Sequence, residues 1–362
     1  MKNDFATAMA SLAREKGVEP EDILQALTAA LIAAYRRDVN APPTQRVSVE
    51  VDRQTGRARV SCSKTVVGEV RDPQVELALA EARRLSPDAA PGDTIEVEST
   101  PSNFGRIAAQ TAKQVVLQRL REAERDRIYR EFAQREGELI LGILQRSEPR
   151  GWIVDLGRAE AVLPPTEQVP TEPYRAGLRL KFYLVEVERT SKGPVMTVSR
   201  THRGLLRRLL ELEVPEVFQG LVELKAMARE PGSRSKVAVA ARQAGLDPVG
   251  ACVGPRGVRI QNVVSELLGE KIDVIQWHAE PATFVANALS PAQVVSVELD
   301  HPERTAMVLV PERQLSLAIG KEGQNARLAA KLTGWRIDIK AAEVAAAPPA
   351  ATLGGSAEGI GR

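Results

Sequence analysis

Two short glycine loops carry the residue types that hold phosphate groups. The stretch "VGPRGVRIQNVVSEL" begins at Val253, and "IGKEGQNARLAAKL" begins at Ile319. Each contains Gly-x-x-Gly with a cation between the glycines, Arg256 in the first loop and Lys321 in the second. Glycine lets a phosphodiester approach the backbone closely, and the helix that follows offers free N–H groups to the phosphate oxygens. The pattern therefore indicates non-covalent binding of anions such as phosphate groups, and not catalysis.

A single loop of this kind is also explained by a helix end, because glycine readily adopts the positive φ found there. Repetition favours binding, and each following helix adds a further cation, Arg259 and Arg327. With an apolar strand beside the loop as a floor for the bases, this is how a KH domain holds about four nucleotides of single-stranded RNA. Pro255 is expected to stiffen the first loop. Glu322 repels phosphate unless it points away.

The elements that must position the loops repeat along the chain as well. From residue 201 to residue 341, each half offers a short helix, two strands around a polar turn, a helix, the loop, a second helix and a closing strand. The closing strands are "KIDVIQW" and "WRIDIKA". We therefore predict two KH domains, at 201–280 and 281–345.

The upstream sequence predicts two further domains. Five short apolar runs within 135–200, beginning with "GELILGIL" and "GWIVDLG", favour a small barrel of the OB kind. Residues 1–130 read as an α/β domain with a hairpin at "QRVSVEVDRQTGRARVSC" and a long, highly charged connector helix from about Phe104 to Gln134. The Ala/Pro/Gly-rich stretch 346–362 is expected to be disordered. The fold class is thus a multidomain α+β chain.

Composition limits the function classes. The formal net charge is only +2 and aromatic residues make up 4% of the chain, so RNA binding has to come from local arrangements of charge rather than bulk attraction. Two isolated cysteines, Cys62 and Cys252, form neither a disulfide framework nor a metal cluster. Without a long apolar run or a secretory signal, we expect a cytoplasmic protein with no membrane contact, metal or cofactor.

Several stretches closely resemble the NusA family of bacterial transcription elongation, termination and antitermination factors. They are "EVPEVFQGLVELKAMAREPGSRSKVAV", "DPVGACVGPRGVRIQNVVSELLGEKIDVIQW" and "LAIGKEGQNARLAAKLTGW", with "FGRIAAQTAKQV" in the connector helix. The resemblance implies an RNA polymerase-binding N-terminal domain, an S1-type OB barrel and two type II KH domains packed as one unit. It also implies three kinds of partner for a monomeric protein: core RNA polymerase, nascent single-stranded RNA and other Nus factors. Acidic repeats, which many members carry after the second KH domain, are not expected here.

The candidate residues follow from the loops and from the resemblance. The expected RNA contacts are Gly254, Pro255, Arg256, Gly257, Arg259, Gly320, Lys321, Glu322, Gly323, Asn325, Arg327, Arg234, Lys236 and Trp152. The expected polymerase contacts are Phe104, Arg106 and Gln110.

Some of these roles stay open at the level of sequence. Arg229, Arg234 and Lys236 surround the turn "REPGSRSK", which is typical either of a solvated hairpin tip or of an RNA contact. Trp152 is either structural or a stacking platform, since Ile153 occupies the position where many S1 motifs have an aromatic residue. Packing of the helix explains Phe104 without any partner.

Two other functions compete with transcription control. An RNA-processing enzyme would need a catalytic constellation, but residues 1–130 contain no histidine, no D-x-D cluster and no P-loop. The histidines His202, His278 and His301 lie apart and outside any nucleophile motif. An RNA chaperone would use the same loops without touching polymerase, and only the resemblance of the N-terminal domain argues against it. We therefore expect a non-enzymatic regulator.

Overall fold

The computed structural model describes residues 19–342, so residues 1–18 and 343–362, which include the tail predicted to be disordered, lie outside the described part. The described residues form two compact units, 19–134 with 188–194 and 135–187 with 195–342. Residues 188–194 fall in the first unit, where Arg189 pairs with Asp126 at 3.2 Å and lies over the ring of Tyr129.

The first unit combines a small mixed sheet with helices. Its elements are α1 (Pro20–Asp38), β1 (Val47–Val51), β2 (Ala58–Val67), β3 (Glu76–Ala78), α2 (Leu79–Leu85), β4 (Thr94–Glu98) and α3 (Phe104–Ala133). Strand β2 is central and pairs with the other three strands. The hairpin and the connector helix predicted from the sequence are confirmed. The acidic first turn and basic last turn of α1 favour its helix dipole.

The second unit begins with a closed barrel of five strands, the number predicted from the sequence. They are β5 (Leu139–Glu148), β6 (Gly151–Asp155), β7 (Glu160–Leu163), β8 (Arg179–Thr190) and β9 (Gly193–Ser199). Their order around the barrel is β5-β6-β7-β9-β8, and β8 closes the barrel by pairing with β5. Closure leaves no sheet edge for unwanted pairing.

The repeat predicted for the rest of the chain is confirmed. The first copy contains α4 (Arg203–Glu213), α5 (Pro215–Phe218), β10 (Val222–Glu230), β11 (Arg234–Ala241), α6 (Pro248–Val253), α7 (Val258–Glu266) and β12 (Lys271–Gln276). The second contains α8 (Pro281–Ala288), β13 (Ser296–Asp300), β14 (Thr305–Pro311), α9 (Leu315–Ile319), α10 (Gln324–Thr333) and β15 (Arg336–Ala342). In both sheets an antiparallel pair is followed by a parallel pair.

One of the two hydrophobic cores of this repeat contains residues of both copies. In the first sheet, Val237 and Val239 face the helices of their own copy. Ala228, Ala238 and Ile275 instead join the core made by the second copy's helices. The alanines let a helix approach the sheet closely, so the first sheet is covered on both faces. This packing fixes the two loops relative to one another.

Candidate nucleic-acid interface

The two Gly-x-x-Gly loops have the same backbone conformation. In each, three of four positions have positive φ: the first glycine (75° and 76°), the third residue (53° in both) and the last glycine (77° and 73°). The third residue is not glycine in either loop, being Arg256 in one and Glu322 in the other. A non-glycine residue in the left-handed region is uncommon, so both loops store backbone strain at the same place.

The first and last glycines are required for different reasons. A Cβ on Gly320 would lie 2.8 Å from the backbone nitrogen of Asn325, and one on Gly254 would lie 2.7 Å from the Arg259 side chain. A Cβ on Gly257 or Gly323 would meet nothing within 4 Å. The first glycine therefore allows the loop to pack on the next helix. The last glycine leaves open space beside the loop, which is where a phosphodiester could approach the backbone.

The two cations between the glycines are available to a ligand. Arg256 and Lys321 are exposed, and within residues 19–342 neither side chain makes a hydrogen bond or an ion pair. Pro255 is also exposed. Glu322 is exposed on the second loop, so that loop carries one positive and one negative side chain. The first loop is the more electropositive of the two.

The cations that follow the loops are held by carboxylates. Arg259 donates to Glu216 at 2.9 Å and to the carbonyl of Ala251 at 2.7 Å. Arg327 donates to both oxygens of Glu230, at 2.7 and 3.2 Å, and to the carbonyl of Glu322 at 3.3 Å. Both arginines therefore position the loops, and RNA would have to compete with their carboxylate partners.

Asn325 lies under the second loop rather than on its surface. Its side chain is buried, and the amide nitrogen donates to the carbonyls of Leu289 and Ala318 at 3.0 Å. The structure corrects the expectation of a direct RNA contact, because the amide is used to hold the end of α9 and the loop after α8. Asn325 is a positioning residue.

The charged residues around the hairpin turn between β10 and β11 are held in ion pairs, although the sequence left open a solvated tip or an RNA contact. Arg234 forms a two-point ion pair with Asp273 at 2.8 and 2.9 Å, which raises the pKa of the arginine. Lys236 is fully buried and donates to Asp273 at 3.1 Å and to the carbonyl of Ser290 at 2.7 Å. Burial lowers the pKa of Lys236, although Asp273 opposes this effect. Lys236 thus joins the two KH copies, which corrects its assignment as an RNA contact.

Arg229 is buried as well, in an ion pair that the sequence did not reveal. It donates to both oxygens of Glu270 and to the carbonyl of His202 at 2.8 Å. Burial alone would raise the pKa of Glu270, but the bonds from Arg229, Ser235 and the Gly232 amide hold it below its usual 4.5. A solvated hairpin tip is therefore the wrong interpretation of Arg229.

Each loop has an edge strand beside it. Strands β12 and β15 lie at the ends of their sheets. The amides of Lys271 and Trp277 donate toward β11, so by alternation the backbone groups of Ile272 and Val274 point to the open edge. In β15 the Arg336 amide donates to the Arg304 carbonyl on the side of β14, so by the same alternation the backbone groups of Ile337 and Ile339 point to the open edge. These edges offer apolar side chains and free backbone groups to bases.

The remaining candidates lie in the barrel and in the first unit. Trp152 is half-buried, whereas Ile153 is buried inside the barrel, so the tryptophan is the accessible residue of the pair. Phe104 is fully buried and packs edge-on against Tyr35, which corrects its assignment as a polymerase contact. Arg106 and Gln110 are exposed on the same helix and stay predicted contacts.

Sequence reasoning missed the residue that ties the barrel to the first KH copy. Arg200 is fully buried and donates to both oxygens of Glu172, to the carbonyl of Lys181 at 2.8 Å and to the carbonyl of Glu266 at 2.9 Å. Glu266 ends α7, whose other end carries the first loop. The Glu266 carboxylate also accepts from the Lys181 side chain at 2.6 Å. An arginine at a predicted domain boundary was the only available signal.

The described residues define a protein with two KH-type loops held in one rigid unit behind a small β-barrel. Within residues 19–342, no group of three or more His, Cys, Asp or Glu residues is arranged to hold a metal ion. In the same range, no helix is long and apolar enough to cross a membrane. The site is thus made of loops, edge strands and cations.

Comparisons with known proteins agree with this class. Residues 4–126 match the NusA N-terminal domain, residues 200–277 the NusA-like first KH domain, and residues 281–347 the NusA-like second KH domain. Three curated relatives share the name "Transcription termination/antitermination protein NusA". The relative from Halalkalibacterium halodurans is 54% identical, over 94% of this chain and 88% of the relative. The Bacillus subtilis relative is 53% identical over 94% and 91%, and the Thermus thermophilus relative 46% over 95% and 91%. This chain belongs to the NusA family.

Proposed function

We propose that this protein is a non-enzymatic transcription regulator that binds RNA polymerase and the nascent RNA. One observation carries the RNA part: two loops with the same backbone each present an exposed cation without a partner among the described residues, Arg256 and Lys321. The polymerase part is supported by the match of residues 4–126 to the NusA N-terminal domain.

The two loops act on one RNA strand. Each holds a few nucleotides weakly, through phosphate contacts at the glycines and bases lying along the open edge of β12 or β15. Because the shared core fixes the loops, binding at one raises the effective concentration of RNA at the other. A rigid pair therefore binds a longer strand much more tightly than either loop alone.

Polymerase docking and RNA binding are coupled in the proposed mechanism. A chain that holds both the enzyme and the emerging transcript favours hairpin formation, which prolongs pauses and promotes intrinsic termination. Together with other Nus factors, the same contacts support antitermination. The protein acts in the cytoplasm, as a monomer, and makes or breaks no covalent bond.

A pausing assay tests this function. Single-round elongation by purified bacterial core polymerase over a hairpin-pause template is compared with and without the protein. We expect a longer pause lifetime, which shortens again when residues 1–130 are deleted. An unchanged lifetime at saturating protein that still binds RNA would contradict the proposal and favour an RNA chaperone.

A further inference from the structure

A second cationic recess lies at the opposite edge of the first KH sheet from β12. It has a volume of about 360 Å³ and lies between the edge strand β10, the start of α4 and strand β8 of the barrel. Tyr183, Leu224 and Met227 line it with half-buried apolar and aromatic surface. Neither Gly-x-x-Gly loop contributes a residue to it, so it is separate from the interface described above.

The aromatic part of this recess is held rigidly. The Tyr183 ring stacks on His202, with centroids 4.5 Å apart and 16° between the planes. A Cβ on Gly204 would lie 2.4 Å from the Tyr183 ring, so only glycine allows the ring this close to the helix. The Nδ1 atom of His202 accepts the Gly204 amide at 3.1 Å, and burial lowers the pKa of the imidazole. Burial therefore favours the neutral form of the imidazole in this stack.

The exposed lining of the recess is positively charged. Arg203, Arg207 and Lys225 are exposed there. Arg207 pairs with Glu211 at 3.1 Å, and Lys225 pairs with Glu223 at 2.9 Å. Within residues 19–342, Arg203 has no hydrogen-bond or ion-pair partner, so one cation is not neutralised.

A bulge in the edge strand places one of these cations. The pairing of β10 with β11 shifts register between Leu224 and Ala226, which leaves Lys225 unpaired in the ladder. Bulges of this kind re-aim a side chain and are frequent beside binding sites. The Lys225 ammonium lies 5.0 Å from the centre of the Trp277 ring. The bulge thus places the Lys225 ammonium at the rim of the recess and over the Trp277 ring, which does not itself line the recess.

We propose that this recess is a third contact for the same RNA strand, with a base against the Tyr183 side of the recess and phosphates at Arg203 and Lys225. Aromatic surface with adjacent cations is how proteins hold single strands without base readout. An acidic protein segment would match the cations but not the apolar floor. The inference rests on the proposed function, because it assumes that the loops hold RNA.

The position of the recess predicts a dependence on RNA length. Strands β10 and β12 are separated by two strand spacings, about 10 Å in all. An RNA that fills both loops must therefore extend beyond them by at least about 10 Å, which exceeds the spacing of one nucleotide, to reach the far edge. RNA that is just long enough for the loops gains nothing from the recess.

Affinity for two unstructured RNAs of A and C tests this proposal on the full chain. Since each KH loop holds about four nucleotides, the short probe has about 8 nucleotides and the long probe about 20. The test variant is Arg203→Gln with Lys225→Gln. The matched control is Arg175→Gln with Arg179→Gln, which removes two exposed barrel arginines outside the recess. Circular dichroism melting verifies that both variants fold.

We expect the test variant to bind the long probe about tenfold more weakly, since two lost phosphate contacts, each with a salt slope of about 0.7, weaken binding by roughly this factor at about 0.15 M salt. The salt slope for the long probe should fall by about 0.7 for each phosphate that no longer meets a cation. Binding of the short probe, and both affinities of the control, should be unchanged. Equal weakening of both probes, or of test and control alike, would overturn the proposal.

Two other outcomes separate this inference from the proposed function. If the wild-type chain binds neither probe, the RNA part of the proposed function fails first. If both probes bind normally to the test variant while its affinity for polymerase falls, the recess is a protein contact and the inference is wrong.

Discussion

The two Gly-x-x-Gly loops share a backbone but differ in charge and in anchoring. The helix behind the first loop is fastened at its far end to the barrel, by the fully buried Arg200. The helix behind the second loop is fastened to the first KH copy by Arg327, which is half exposed. The first loop carries Arg256 where the second carries Glu322. The same backbone conformation can therefore be supported by two unrelated sets of side chains, one buried and one exposed.

The largest expected effect is the difference in protein stability between variants of the two anchoring arginines, Arg200 and Arg327. Arg200→Ala leaves the Glu172 carboxylate buried without its cation, so we expect the free energy of unfolding to fall by about 3–5 kcal/mol. Arg327→Ala leaves its partner Glu230 in contact with water, so the free energy of unfolding should change little. Urea unfolding followed by circular dichroism measures both. Equal shifts in the midpoint would show that burial does not distinguish the two anchors.

The next largest difference is expected between the stabilities of alanine variants at the first glycine of each loop, Gly254 and Gly320. Alanine at either position adopts a conformation that is nearly restricted to glycine, which costs on the order of 1–3 kcal/mol. The loss of stability in Gly320→Ala should lie at or above the upper end of this range, because the new Cβ would clash with the backbone nitrogen of Asn325. In Gly254→Ala the new Cβ would instead meet the side chain of Arg259, which can move. Thermal melting of both variants tests the difference.

Alanine at the last glycines, Gly257 and Gly323, serves as the control for this comparison. Those positions have open space around the new Cβ, so only the backbone conformation contributes to the loss of stability. A larger loss at Gly254 than at Gly320 would contradict the packing argument.

The charge difference between the loops predicts a gain of function. Glu322→Gln removes a carboxylate from the second loop, so RNA affinity should rise roughly threefold, since exposed charges interact weakly through water. Glu303→Gln, at another exposed carboxylate of the same KH copy, is the matched control. Fluorescence anisotropy with labelled RNA measures both. Unchanged affinity of Glu322→Gln would mean that the carboxylate faces away from the phosphates, and weaker binding would mean that it contacts the RNA favourably; either result would contradict the prediction.

The exposed anchor should also depend on pH. The hydrogen bond from Arg327 holds the pKa of Glu230 below its usual 4.5. A lowered pKa in the folded state means that the stabilisation is complete above pH 4.5 and is lost as the pH falls through the folded-state value. The difference in urea midpoint between wild type and Glu230→Gln should therefore be small at pH 7 and decrease further as the pH falls below 4.5. A difference that grows on acidification would contradict the assigned ion pair.

Periodicity predicted most of the architecture. The connector helix, the five barrel strands and the repeated order of elements are visible as apolar spacing interrupted by glycine and proline. The left-handed loop positions also follow, since Gly254 and Gly320 had to be glycine. These features depend on local sequence alone.

The buried polar residues could not be predicted in the same way. Arg229, Lys236 and Asn325 have the side chains of solvated residues, and their burial depends on partners such as Glu270 and Asp273 that are distant in sequence. Pairing of β11 with β10 and β12 within the first KH copy brings these charged groups together, and the bond from Lys236 to the Ser290 carbonyl then reaches the second copy. The two loops therefore stay the predicted RNA site, whereas the flanking residues Lys236 and Asn325 are buried.

Loop binding by one RNA strand is the central claim, and RNA affinity of loop variants tests it most directly. Arg256→Asp, Lys321→Asp and the double variant are compared with wild type on RNA long enough to span both loops. We predict that each single variant binds at least about tenfold more weakly, because linked sites multiply their affinities, and that the double variant binds weakest. Wild-type affinity in a folded double variant would contradict the account.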